Sequence, residues 1–160
     1  MLSEYKFSYE VFDSSEDLSR EDAMLLNEAR NSTKHSYAPY SRFRVAAVAK
    51  LSNGKIIGGS NQENASYPAG ICAERVLLSS ISSQHPGTTI ETIAITYNNE
   101  NGESDRPISP CGICRQSLQE YEYRQNHPIR LILSGMKGKV FIISQSSLLM
   151  PLAFTGDELK

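Results

Sequence analysis

The chain lacks a charge excess of either sign. Among 160 residues, Lys plus Arg number 16 and Asp plus Glu 18, for a net charge of −2. Binding by phosphate neutralisation needs a clear basic surplus, so a nucleic-acid binder of that kind is not expected. No apolar run approaches the roughly 18 residues of a membrane span. The opening stretch, Met1 to Lys6, has no apolar segment of signal-peptide type, so a cytoplasmic protein is expected. Internal repeats, low-complexity tracts and an interdomain linker are also missing. The three cysteines are an odd number, which does not suit a disulfide framework in a secreted chain. Reduced thiols then point to metal binding, catalysis or plain core packing.

What is present reads as a globular protein. Hydrophobic residues make up 39% and charged residues 21%, and the length fits one domain able to bury a core without staples. Period-two alternation over Tyr5 to Phe12 predicts a half-buried strand. Ser19 is placed to cap a helix running to about Lys34, with Glu21 and Asp22 at its positive end. Phe43 to Leu51 and Lys55 to Ser60 read as strands joined by a turn at Ser52-Asn53-Gly54. Helices are expected from Cys72 to Ser83 and from about Cys111 to Tyr123. Further strands are expected at Thr92 to Tyr97, Ile129 to Leu133 and Lys139 to Ile143, and a last short helix at Ser146 to Leu152. Strands alternating with helices imply an α/β sandwich on a mixed sheet.

All three cysteines fall at expected helix starts. Cys111 and Cys114 are three apart and share one helix face, so they can grip a single ion. Helix N-termini favour thiolates, and thiolates select zinc among abundant metals. A closed structural zinc site has four protein ligands, and none of His35, His85 and His127 has finger-like spacing to the cysteines. Three ligands with one open position is the catalytic arrangement. Glu74 follows Cys72 by two residues, about 200° around a helix. Both side chains therefore serve one site only if it lies off the helix N-terminus, where a carboxylate is suited to move protons. Arg75 or Arg115 would offset the thiolate charge by donating to sulfur. Three buried thiols, or a redox Cys-x-x-Cys pair, remain the plainer readings of the cysteines.

Cys72-Ala73-Glu74-Arg75, followed by Pro110-Cys111-Gly112-Ile113-Cys114-Arg115-Gln116, resembles the zinc-dependent cytidine deaminases, in the small three-cysteine, homotetrameric form. The resemblance runs from about residue 21 to the C-terminus. It implies a three-layer α/β/α sandwich on a mixed five-stranded sheet, with Tyr5 to Phe12 as an extra N-terminal edge strand. The implied organisation is residues 1–18 as an extension and 19–160 as one catalytic domain. It further implies deamination of cytidine and 2′-deoxycytidine in pyrimidine salvage, one Zn²⁺ per subunit on Cys72, Cys111 and Cys114, and Glu74 as the proton carrier. The segment Asn61-Gln62-Glu63-Asn64-Ala65-Ser66-Tyr67 resembles the ribose-binding stretch, which assigns the sugar to Asn61 and Glu63. Phe43 would pack on the pyrimidine, and the Ala73 N–H would contact the base. Tyr67 and Phe154 would serve a site shared between subunits, and Arg75 would support the thiolates.

The sequence departs from the family pattern after Phe43, where Arg44-Val45-Ala46-Ala47 stands for the usual Pro-Val-Gly-Ala, and at Thr155 beside Phe154. Three rival readings are open. A deaminase of aminonucleoside antibiotics would keep both zinc motifs and change the sugar pocket. A polynucleotide deaminase would need a basic, aromatic track. A zinc-stabilised binding module would need a fourth protein ligand and would unfold on chelation.

Overall fold

The computed structural model describes residues 1–159. One sheet of six strands carries the fold, in the order β1-β6-β5-β4-β2-β3. The strands are β1 (Glu10–Phe12), β2 (Phe43–Leu51), β3 (Ile56–Ser60), β4 (Ile90–Asn99), β5 (Arg130–Ser134) and β6 (Val140–Ile143). The helices are α1 (Arg20–Ser32), α2 (Ala73–Gln84) and α3 (Gly112–Gln125). Only β4 and β5 run parallel; the other neighbours are antiparallel. A parallel pair needs a crossover connection, and α3 supplies it.

Side-chain alternation sorts the strands into two cores. Ala47, Ala49, Leu51, Ile93, Ile95, Leu131 and Leu133 face Leu77, Leu78 and Ile81 of α2 and Leu118 of α3. The intervening Val48, Ala94 and Ile132 face Leu25, Leu26 and Ala29 of α1. Continuous apolar runs on central strands are what a sheet covered on both faces requires. The result is the three-layer α/β/α sandwich expected from the sequence.

The N-terminal strand is shorter than its alternation suggests. Only Glu10–Phe12 pair with β6, through Glu10↔Ile142 and Phe12↔Val140. β6 itself is four residues long and its last residue, Ile143, falls opposite Tyr9, so the residues before Tyr9 run past its end. They keep the period-two facing without a ladder. Tyr5, Phe7 and Tyr9 form a row of rings 6.4 and 6.1 Å apart that continues onto Phe141 at 5.0 Å. The Tyr5 hydroxyl donates to the Leu148 carbonyl at 2.9 Å. The last expected helix is a single 3-10 turn, Ser146–Leu149. Pro151 cannot continue a helix, and Leu152 takes a left-handed φ of 55°.

Helix α1 is tied to the sheet by charge. Ser19 caps it by accepting from the Asp22 N–H. The Asp22 carboxylate takes two bonds from the Arg130 guanidinium of β5, at 2.7 and 2.8 Å. That fork, chiefly through its hydrogen bonds, holds the Asp22 carboxyl below its ordinary range. A lowered folded-state value stabilises above the unfolded value of about 3.9, and the contribution is lost as pH falls through the folded value. Asp22→Asn is therefore expected to cost about 1 kcal/mol at pH 7. Denaturant titrations should show the gap from wild type shrinking at pH 3; an equal gap at both pH values would refute this.

Candidate metal centre and substrate cleft

Two helix N-termini meet at the sulfur cluster. Cys72 is the N-cap of α2 and Cys111 the N-cap of α3, and Cys114 lies in the first turn of α3. Neither helix has a side-chain cap. The cysteines thus sit at the positive dipole ends of both helices, which favours thiolates there. The Sγ atoms all lie within 4.8 Å of one another, Cys72 to Cys111 at 3.8 Å and Cys111 to Cys114 at 3.4 Å. Tetrahedral zinc with Zn–S bonds near 2.3 Å needs sulfurs about 3.8 Å apart, so the cluster fits the ion.

The electrostatics agree with that fit. The Cys72 thiol is lowered to about 6, first by hydrogen bonding with Cys114, then with Cys111 and by the Arg75 charge. The Cys114 thiol is pushed up, first by its hydrogen bond with Cys72 and then by burial. One thiolate forms readily in this space and a second is resisted. A divalent cation removes that conflict, because it lets coordinated thiols ionise together.

Glu74 stands beside the cluster. It is only 4% exposed. Burial, reinforced by the Cys72 charge, raises its carboxyl above the ordinary range. A raised carboxyl exchanges protons nearer neutral pH. Ala73, wholly buried, lies between Cys72 and Glu74 at the first helical position. The first turn of α2 rests on β3. A methyl added at Gly59 would lie 2.5 Å from the Leu77 nitrogen and 2.7 Å from the Ala73 oxygen. These two atoms are hydrogen-bond partners in the ladder of α2, one step after the Val76 N–H bond to the Cys72 carbonyl.

A cleft of about 520 Å³ opens from Cys72 past Ile71, Asn61, Glu63, Tyr40 and Tyr67. Asn61 is bonded to the start of β2: its Oδ1 accepts from the Val45 N–H at 2.8 Å, and its Nδ2 donates to the Phe43 carbonyl at 2.9 Å. Glu63 Oε2 accepts from the Tyr40 and Ser41 N–H groups at 2.9 and 3.3 Å. Its carboxyl is held below the usual range, first by the Ser41 side chain and then by those backbone bonds. Tyr67 is 76% exposed and meets Tyr40 edge-on at 6.1 Å.

Phe43, Phe154 and Arg115 lie outside that cleft. Phe43 does not line that cleft; it stacks on Tyr97 at 4.8 Å and borders a separate pocket with Ile108 and Ser109. Phe154 lies along α3, where Gln116 donates to its carbonyl. Arg115 turns away from sulfur to the carbonyls of Pro110 and Leu149. Among the described residues, no hydrogen bond joins Arg75 or Arg115 to a cysteine sulfur. Reading the sequence alone missed Gly59, Tyr97 and the backbone anchoring by Asn61 and Glu63. The Gly58-Gly59 pair inside a strand was the available signal for close backbone approach.

Residues 19–126 match the sequence profile described as "Cytidine and deoxycytidylate deaminase zinc-binding region". The chain belongs to this family. Membership makes it a zinc-binding hydrolase of C–N bonds, with one cluster of three cysteines, among the described residues, to hold the ion. A protein from Halalkalibacterium halodurans named cytidine deaminase is 34% identical over 86% of this chain and 96% of its own length. The crystal structure of cytidine deaminase from Burkholderia pseudomallei superposes with a TM-score of 0.70 at 33% identity, covering 86% of this chain and all of that one. A Bacillus cereus protein named blasticidin-S deaminase is 28% identical over 86% of this chain and 95% of its own. The additional strand β1 lies outside the matched profile. No helix among the described residues is long and apolar enough to cross a membrane.

Proposed function

We propose that this zinc hydrolase deaminates cytidine and 2′-deoxycytidine, giving uridine or deoxyuridine and ammonia. The observation that carries the reading is Glu74, buried and with its carboxyl raised, beside three thiols that lie within 4.8 Å of one another. Zinc on Cys72, Cys111 and Cys114 would supply an activated water as nucleophile. Glu74 accepts the proton of that water and delivers it to ring nitrogen 3, which makes carbon 4 more electrophilic. It then helps protonate the departing amine. Arg75, whose charge favours the Cys72 thiolate, supports the ligand set.

Substrate binding falls to the cleft. The ionised Glu63 accepts from the Tyr40 and Ser41 N–H groups through Oε2, and its carboxylate has further lone pairs to accept from a sugar hydroxyl. Asn61 retains one Nδ2 hydrogen for the same sugar while holding the strand start that carries Phe43. The Ala73 N–H contacts the base, and Phe43 meets its ring from the neighbouring pocket that it borders beside Ser109, next to Pro110 and Cys111. The domain reading is a single catalytic domain over 19–160 with residues 1–18 as an extension, in a cytoplasmic enzyme of pyrimidine salvage.

The assembly is a homotetramer with shared sites. Tyr67 is largely exposed, and Phe154 lies apart from its own cleft with 57% exposure, as residues serving a neighbour's site would be. Zinc-loaded protein is expected to release ammonia from cytidine and to sediment as a tetramer. Zinc-loaded protein inert towards cytidine would overturn the reaction, and a monomer would overturn the shared roles of Tyr67 and Phe154.

A further inference from the structure

We propose that Arg115 is a positioning residue for the metal centre, holding the backbone that delivers Cys111. The proposal rests on the zinc reading of the three cysteines. Arg115 is the fourth residue of α3, and a cation in the first helical turn meets the unfavourable end of the dipole. Attraction to its own helix therefore does not account for it.

Its guanidinium reaches back past the helix start. Nε donates to the Pro110 carbonyl at 2.9 Å, and Nη1 donates to the Leu149 carbonyl at 3.0 Å. The Pro110 carbonyl belongs to the planar peptide unit that ends in the Cys111 nitrogen. Fixing that oxygen fixes the plane through which the chain enters Cys111.

Such a brace needs an immobile far end. The turn Ser146–Leu149 provides one. The buried Glu122 carboxylate accepts from the N–H groups of Ile129 and Ser146, both at 2.8 Å, and of Ser147 at 3.1 Å. The Tyr5 hydroxyl also donates to the Leu148 carbonyl of this turn. Arg115 thus links an anchored C-terminal turn to the entry of a ligand.

Cys111 is the ligand most in need of this support. Cys114 is buried within α3 and Cys72 is partly buried, but Cys111 is exposed. Packing does little to orient its side chain, so its backbone must. Arg115 makes no bond to sulfur and acts through Pro110.

The test compares Arg115→Gln and Arg115→Lys with wild type, well below the unfolding temperature. Zinc release to a chromogenic chelator and the absorption bands of cobalt-substituted protein are the readouts. Arg115→Gln is expected to keep its far-ultraviolet circular dichroism and one metal per chain, to release zinc about tenfold faster, and to show shifted cobalt–thiolate bands. Arg115→Lys is expected to fall between, since an ammonium donates to a carbonyl but lacks the planar fork. Should Arg115→Gln fail to fold, the Lys variant carries the same comparison. Unchanged release and an unchanged cobalt spectrum with only a lower Tm would overturn the proposal. Wild-type protein that takes up neither zinc nor cobalt would instead overturn the zinc reading beneath it.

Discussion

Glu74→Gln is expected to lower kcat for cytidine by about a hundred- to ten-thousand-fold, with one zinc still bound per chain. Glutamine keeps the shape of the side chain in a place with no room to spare, since Glu74 is only 4% exposed. What it removes is the exchangeable proton. The cysteine ligands remain, so the metal should stay. Ammonia release and metal content measured on the same preparation separate the two effects. Near-normal turnover would dismiss Glu74 as the proton carrier. Loss of zinc along with activity would assign it to the upkeep of the metal site instead.

The second large effect is expected at a residue with no side chain. Gly59→Ala should destabilise the protein by about 3 kcal/mol, as overpacking against rigid neighbours does. In a domain of this size that is a fall in Tm of roughly 6–12 °C. The obstruction is backbone, the Ala73 oxygen and the Leu77 nitrogen, so no side-chain rotation relieves it. The first turn of α2 would have to lift from β3, taking Cys72 and Glu74 with it. Activity measured in the cold, where the variant is folded, should therefore also fall. Gly58→Ala is the control, because the nearest atoms to its added methyl are side-chain atoms at 3.7 and 3.8 Å. Equal Tm values for the two variants would refute the close-approach argument.

The elements that position the centre were largely legible in the sequence. β2 begins and ends at Phe43 and Leu51, as its apolar run suggests, and both cysteine helices start one residue after the cysteine expected to open them. Local period and capping carry that information. The N-terminal strand was overextended because alternation reports facing, not the length of the partner strand. The final helix was overextended because Pro151 and the left-handed Leu152 outweigh a short apolar run. The anchoring of the site was not legible. Asn61 bonds to residues 16 and 18 positions away, and Arg115 reaches a carbonyl 34 positions on. No window of spacing contains such pairs. The three cysteines were legible because their helix starts, not their sequence separation, bring them together.

That convergence has a consequence for how the protein comes to hold its metal. Cys72 and the Cys111–Cys114 pair belong to helices separated by the whole of β4, and each helix reaches the centre only by docking on the sheet. Closing that loop carries an entropic cost, which the packing of both helices on the sheet offsets. The complete three-thiol site therefore exists only where both helices have docked on the sheet. Small zinc-folded modules differ, in that the metal organises the chain. In this protein the full ligand set is a property of the assembled sheet and its two helices, not of one local loop.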